Sequence, residues 1–321
     1  SKSKYVYTEP VKSAKTIDSK KLDKIAEEIL DHKFTLTAER LQDLHELLVA
    51  QPSEDTKAEY PPGLKVKLMP HQQHALAWLM WRERERPLGG VLADDMGLGK
   101  NLTMISLIVA TPNQDYLKSD DETESNDEWI NPNKPISVKY ICLLIVIKSI
   151  KFPNMINLRN HELHILVCFG NKREKVSNRL AKYDVVITTY NILSSKFEAM
   201  STTYKIHLKR IILNEAHCIR NHDSQASQAS QAVCGLLANK RWTRTETPIQ
   251  NKKMDLYSLL KFLKCSPFDD IRVWKRWVNN KNVAGHQRLA TLMKSLMLRR
   301  TKQELQAQGA LESLPNKNIK E

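Results

Sequence analysis

Apolar residues follow two rhythms along this chain. Continuous apolar runs at Val91–Ala93, Tyr140–Ile147, Ile165–Phe169, Asp184–Tyr190 and Arg210–Leu213 predict short strands buried on both faces. Stretches of helix length separate several of them, near Pro153–His161, Lys172–Lys182 and Ser224–Leu237. Strands of this kind alternating with helices predict an α/β fold, a parallel sheet covered by helices on both faces. Nearer the N-terminus the spacing is helical instead. Leu22, Ile25, Ile29 and Leu30 recur within Thr16–Leu30. Leu41, Leu44, Leu47 and Leu48 line one face of a second segment, for which Thr37 is the expected N-cap. A third helix is expected from Leu68 to Trp81, with Pro70 in its first turn and Leu76, Leu79 and Met80 facing inward.

These elements divide the chain. Residues 1–60 read as a small helical hairpin and a linker, which ends at Pro61-Pro62-Gly63. Residues 61–300 read as the α/β lobe, and residues 301–321 as a C-terminal linker. Within the lobe, residues 112–136 lack periodicity and contain Pro112, Pro132 and Pro135, the pattern of a disordered insertion. Ser-Gln-Ala repeats three times from Ser224 to Ala232, a duplication local to one helix.

Charge sharpens the picture. The 321 residues carry 50 Lys and Arg against 36 Asp and Glu, a formal +14. Seven acids between Asp115 and Glu128 face only Lys118, which leaves +20 on the remainder. Such a balance favours a polyanionic partner, nucleic acid before membrane surface, with the acidic insertion lying away from it. Five scattered cysteines with no Cys-x-x-Cys pair argue against a zinc site or a disulfide framework and suit a reducing compartment. No run of 18 apolar residues and no signal-like N-terminus occur, so a soluble intracellular chain is expected.

The densest chemistry lies between Leu88 and Asn101. The apolar strand ends in Asp94-Asp95-Met96-Gly97-Leu98-Gly99-Lys100-Asn101, and a helical pattern follows from Leu102. A strand, a glycine turn, a lysine and a helix make a phosphate-cradling loop. The glycines let backbone N–H groups approach phosphate, the helix start adds positive potential, and the lysine reaches the outer phosphates. Upstream, Gln72 is a candidate adenine reader or else a solvent-facing glutamine, while His71 and His74 read as surface residues. In a parallel sheet the site lies at the carboxyl ends of the strands. Asn214 and Glu215, ending the strand that starts near Arg210, should therefore face the phosphate loop.

Taken in order, Pro70-His71-Gln72, the Asp94–Lys100 loop, Asn214-Glu215-Ala216-His217, Thr247-Pro248-Ile249-Gln250-Asn251 and Leu298-Arg299-Arg300-Thr301-Lys302 resemble the first motor lobe of Snf2-type DNA-dependent ATPases. The likeness spans about residues 62–302. It implies a RecA-like lobe, ATP and Mg²⁺ as cofactors, and a monomeric nuclear motor, with the cytoplasm as the alternative compartment. Such a motor translocates on duplex DNA, here to dislodge RNA polymerase II from its elongation complex. By position, Lys100 would bind the outer phosphates, Gln72 the adenine, and Asn101 and Asn214 would stand at the metal. Glu215 would orient or deprotonate the attacking water. His217 would couple that site to Thr245, Glu246 and Gln250. Lys148, Ser149, Thr188 and Thr189 fall where the lobe meets the DNA backbone, although the two threonines equally suit a strand.

Three positions depart from the family pattern, which has Thr at 101, Asp at 214 and Gly at 246. Mg²⁺ prefers hard oxygens, and an Asn carbonyl brings none of the charge of a carboxylate. Glu246 sets an extra carboxylate near the expected γ-phosphate, with Arg244 as its expected neutraliser. Nothing after Lys302 resembles the second motor lobe, whose arginine finger is worth roughly 10³–10⁵ in rate. The expectation is a translocase lobe with weakened ATP chemistry; the alternative is a non-hydrolysing relative that at most binds DNA or a protein.

Overall fold

The computed structural model describes residues 35–64, 66–111, 142–146, 163–168, 183–198, 204, 206–219, 225–246, 253–279 and 282–309. The expected helix at Thr16–Leu30, the acidic insertion 112–136, the helical candidates at Pro153–His161 and Lys172–Lys182, and Lys148, Ser149 and Gln250 lie outside them.

Seven parallel strands form one sheet. They are β1 (Gly89–Leu92), β2 (Cys142–Val146), β3 (Ile165–Val167), β4 (Val185–Thr189), β5 (His207–Asn214), β6 (Leu237–Arg244) and β7 (Met297–Leu298). Their order is β3-β4-β2-β5-β6-β1-β7. β5 and β6 pair from His207↔Leu237 to Asn214↔Arg244, and β6 continues onto β1 with Arg244 opposite Leu92. The carboxyl ends of β5, β6 and β1 therefore come side by side.

Side-chain alternation gives the sheet two apolar faces. One face carries Leu92, Leu144, Val146, Ile212 and Trp242. It is covered by α2 (Pro70–Arg82) and α3 (Lys100–Ala110), with Trp78 of α2 tilted against Trp242 at a ring separation of 6.0 Å. The other face carries Val91, Leu143, Ile145, Ile211 and Leu213. Its core also takes in α4 (Tyr190–Glu198), α5 (Gln225–Gly235), α6 (Lys253–Leu263), α7 (Ile271–Trp277) and α8 (Val283–Leu296). Each fully buried Leu, Ile or Val on these faces contributes roughly 1.5–3 kcal/mol relative to exposure. A short α9 (Lys302–Ala307) follows β7, started by a capping box between Thr301 and Glu304.

Residues 35–49 form helix α1. Leu44 is fully buried in the second core, and Leu41 and Leu47 pack against it, as the spacing predicts. Thr37 is not its N-cap. The residue is buried inside the helix, which is already formed at residue 35.

Two strands escape the hydropathy pattern. β6 reads Leu-Ala-Asn-Lys-Arg-Trp-Thr-Arg, three cations in eight residues, yet it is central. Each cation has its own partner. Arg241 donates to the Val233 and Leu236 carbonyls, Arg244 meets Glu215, and Lys240 meets Glu83 at 2.7 Å. Glu83, at the end of α2, also receives Arg210 at 2.6 Å on both oxygens and the Trp242 indole at 2.9 Å. Burial pushes its carboxyl up, but the charges and hydrogen bonds of Arg210 and Lys240 outweigh this and hold it at about 2. β7 is only two residues long, too short to leave a periodic signature. Among the described residues, no helix is long and apolar enough to cross a membrane.

Candidate nucleotide site

β1 ends at Leu92, and the chain then turns through Asp94–Gly99 into α3. Gly97 and Gly99 both have left-handed φ, +88° and +77°. A side chain would be strained there, and a Cβ on Gly99 would lie 2.1 Å from Gln72 Nε2. Glycine thus serves twice, for the turn and for the close approach of α2. Met96 stands 71 % exposed at the tip, whereas Leu98 is buried.

Gln72 and His71 brace this loop from α2. Gln72 Oε1 accepts from Met69 N at 3.0 Å, and its Nε2 donates to Leu98 O at 3.3 Å. His71 Nε2 lies 3.1 Å from the same carbonyl. A carbonyl only accepts, so Nε2 carries the proton; Nδ1 is buried without a hydrogen-bond partner. Burial lowers the pKa of His71, which fits a neutral ring. His74 is also buried, its Nδ1 3.2 Å from Thr56 O, and burial lowers its pKa as well. The two histidines are therefore not surface residues, and Gln72 is not solvent-facing. The faces they occupy are packed on the loop and on the segment before α2.

Lys100 opens α3 with its ammonium turned back into the turn. Nζ donates to Asp94 O at 2.6 Å and Asp95 O at 3.0 Å, and Glu246 Oε1 lies 3.8 Å away. Its side chain is only 4 % exposed, and burial lowers its pKa. The adjacent strand ends complete the site. Thr245, buried, donates its N–H to Leu92 O at 3.2 Å and so extends the β6–β1 ladder to the edge of the loop. Asn214 closes β5, and its Oδ1 is buried with no hydrogen-bond partner. Asn101, Asn214 and Arg244 line one side of a cavity of about 10 Å³ of water-accessible space whose other walls are apolar, among them Met104, Ile105 and Leu144. The Thr103 hydroxyl is committed to Gly99 O at 3.4 Å.

Glu215 follows β5 in a left-handed conformation, φ 57°, a strained backbone for a residue with a Cβ. Its two oxygens lie 3.4 Å from Arg244 and 3.4 Å from His217 Nδ1. Arg244 therefore pairs with Glu215, and Glu246 has Lys100 as its ion partner. The expected Arg244–Glu246 neutralisation gives way to this crossed arrangement.

One further residue completes the site. Arg300, just past β7, grips Asp94 through Nε and a terminal nitrogen, at 3.1 and 2.5 Å, and donates to His71 O. The Lys302 N–H bonds Asp95 Oδ2 at 3.1 Å. Arg300 lies in the Leu298–Lys302 motif, and its role at the loop has only a weak sequence signal, an acid in the loop and a late arginine pair. On the other side of the sheet's carboxyl edge, Thr188 is buried and Thr189 Oγ1 accepts from Ile192 N at 3.4 Å, capping α4. Thr188 thus packs as a strand residue. Among the described residues no cluster of three His, Cys, Asp or Glu could hold a metal ion.

A seven-stranded parallel sheet with a lysine loop on β1 and an acid after β5 defines an α/β nucleotide-binding lobe. The SNF2-related domain matches residues 71–320, and the chain belongs to that family. It is 44 % identical over 308 residues to Transcription termination factor 2 of Drosophila melanogaster, across 90 % of this chain and 29 % of that protein. It is 34 % identical over 242 residues to DNA repair protein RAD5B of Arabidopsis thaliana, across 70 % of this chain and 19 % of that one. Among solved structures it resembles the Sulfolobus solfataricus SWI2/SNF2 ATPase core in complex with dsDNA. That match has a TM-score of 0.60 at 25 % identity and covers 81 % of this chain and 49 % of the other. The chain thus spans less than a third of these curated relatives and about half of that ATPase core, and the fold is the RecA-like lobe the motifs imply.

Proposed function

We propose that this chain is the nucleotide-binding lobe of a Snf2-type DNA translocase, and that its site takes nucleotide while holding magnesium weakly. The phosphate cradle fits a nucleotide. Lys100 and the N–H groups of the Gly97–Lys100 turn would hold the phosphates, and Gln72 keeps the turn against α2. The metal side fits less well, and one observation carries that judgement: the cavity that the buried, unpartnered Asn214 Oδ1 borders is otherwise lined by Asn101, the cation Arg244 and apolar side chains, with no carboxylate. A buried acceptor without a partner is what a cation would satisfy. Two neutral amides, however, bring no negative charge, and Mg²⁺ is ordinarily bound through one or two carboxylates besides phosphates and water. Asn101 and Asn214 are the residues that would hold Mg²⁺, whose chemistry in such sites is to neutralise phosphate charge. Glu215, held between Arg244 and His217, would orient the attacking water.

Duplex DNA is the expected track. The Sulfolobus ATPase core was solved in complex with dsDNA, and the basic remainder of this chain suits the same polyanion. The name of the fly relative supports transcription termination as the process, with release of RNA polymerase II in the nucleus as the corresponding reading for this chain.

The test is magnesium-dependent ATP hydrolysis with and without duplex DNA, against a Glu215→Gln control. Weak metal retention predicts no DNA-stimulated rate above the control. The 44 % identity to the fly protein, with Lys100 and Glu215 both present, favours a second reading as an active motor. DNA-stimulated turnover lost in Glu215→Gln would establish that reading.

A further inference from the structure

We propose that Glu246 makes this site select nucleoside diphosphates over triphosphates, its carboxylate standing against Lys100 where an outermost phosphate would bring its charge. The inference rests on the reading of the Asp94–Lys100 turn as a nucleotide cradle.

The geometry is that of an internal counter-anion. Lys100 has three N–H donors; two are taken by Asp94 O and Asp95 O, and Glu246 Oε1 is the anion 3.8 Å from the same nitrogen. The Lys100 side chain is only 4 % exposed, while the Glu246 side chain is 36 % exposed. The carboxylate is thus the more exposed partner of a buried cation, beside the nitrogen that a phosphate would reach. It is also tethered. Glu246 follows Thr245, which is buried and hydrogen-bonded to Leu92 O at 3.2 Å. A charge fixed on the end of β6 faces Lys100 at an effective concentration no lower than millimolar, as for any group on a short tether. A phosphate brought to the lysine must share that cation with it.

Charge balance points the same way. Around the lysine, Asp94 is offset by its partner Arg300; Lys100 and Arg244 then supply two positive charges, and Glu215 and Glu246 two negative ones. Without Glu246 this group would carry a net positive charge open to phosphate. With it, each added phosphate charge meets a neutral cluster and a fixed carboxylate. A diphosphate brings one outer phosphate to share the lysine with Glu246, whereas a triphosphate brings a further phosphate charge against the same carboxylate. The preference is a repulsive element on one side of a comparison.

The experiment is a titration of fluorescent ADP and fluorescent ATP, both without Mg²⁺, into the full chain as wild type, Glu246→Gln and Lys100→Ala. Glu246→Gln keeps the shape of a half-exposed side chain and removes only its charge. The wild type should bind ADP at least about tenfold more tightly than ATP. Glu246→Gln should shrink that ratio by about tenfold, equivalent to ~1.4 kcal/mol, chiefly through tighter ATP. A ratio unchanged by Glu246→Gln, with ADP binding that still depends on Lys100, would overturn the selectivity while leaving the nucleotide site standing. A wild type that binds neither nucleotide would overturn the site and the selectivity together.

Discussion

Arg300 and Asp94 are 206 residues apart in sequence and form a two-pronged ion pair under the phosphate loop. Asp94 is 1 % exposed, and the Arg300 backbone N–H bonds its Oδ1 as well, at 3.1 Å. The strap that follows β7 is thereby fixed to the turn that would hold phosphate. Removing the guanidinium leaves a buried carboxylate with only a backbone donor, and breaking a buried pair from one side costs about 3–5 kcal/mol. Arg300→Ala should lose stability of that order in urea unfolding. Arg300→Lys should recover only part of it, since an ammonium cannot reproduce the fork. A loss below about 0.5 kcal/mol for Arg300→Ala would show that the pair does not anchor the loop.

A second prediction concerns pH. Glu83 sits among Arg210, Lys240 and the Trp242 indole, and its folded pKa is about 2, below the ordinary value of 4.5. A depressed acid adds stability that is fully present above its unfolded pKa and lost as pH falls through the folded one. That places the loss between about pH 4.5 and pH 2, and its size at neutral pH is on the order of 3 kcal/mol. Glu83→Gln should abolish most of the stability change across that window, read by denaturant midpoints from pH 5 downward. An unaltered pH profile in Glu83→Gln would show that other carboxylates control acid unfolding.

Why these two pairs escaped a reading of the sequence is a matter of distance and of sign. Hydropathy located β1 through β5 because each is an apolar run, and the glycines, Lys100 and Glu215 announced the site by local spacing. β6 did not announce itself because Lys240, Arg241 and Arg244 look like surface, and only the fold supplies Glu83, the Leu236 carbonyl and Glu215. Gln72, His71 and His74 are the converse case: polar residues buried because their partners are backbone carbonyls of segments distant in sequence. The crossed pairing of Arg244 with Glu215 and Lys100 with Glu246 depends on which strands are neighbours, and so could not be read from a two-residue spacing.

DNA affinity should be modest and steeply dependent on salt. Each phosphate neutralised by a lysine or arginine changes the slope of log affinity against log salt by about −0.9 on duplex DNA. Thr188 is buried and Thr189 Oγ1 accepts from Ile192 N, so most of the salt dependence should come from cationic side chains. Fluorescence anisotropy with a labelled duplex between about 50 and 200 mM salt should show the affinity fall by orders of magnitude. An affinity flat across that range would contradict an electrostatic track.

The central claim is that Asn101, Asn214 and Glu246 separate nucleotide binding from magnesium binding, and one titration tests it directly. Fluorescent ATP is titrated with and without Mg²⁺ into the wild type, Asn214→Asp, and the triple variant Asn101→Thr, Asn214→Asp, Glu246→Gly. Asn214→Asp puts a carboxylate where a buried carbonyl lacks a partner, but Glu246 still faces Lys100 at 3.8 Å. The account predicts little Mg²⁺ dependence in the wild type, a small gain in the single variant, and a gain of about tenfold or more in the triple, or ~1.4 kcal/mol. Equal affinity and equal Mg²⁺ dependence in all three proteins would contradict it and return the chain to the active-motor reading.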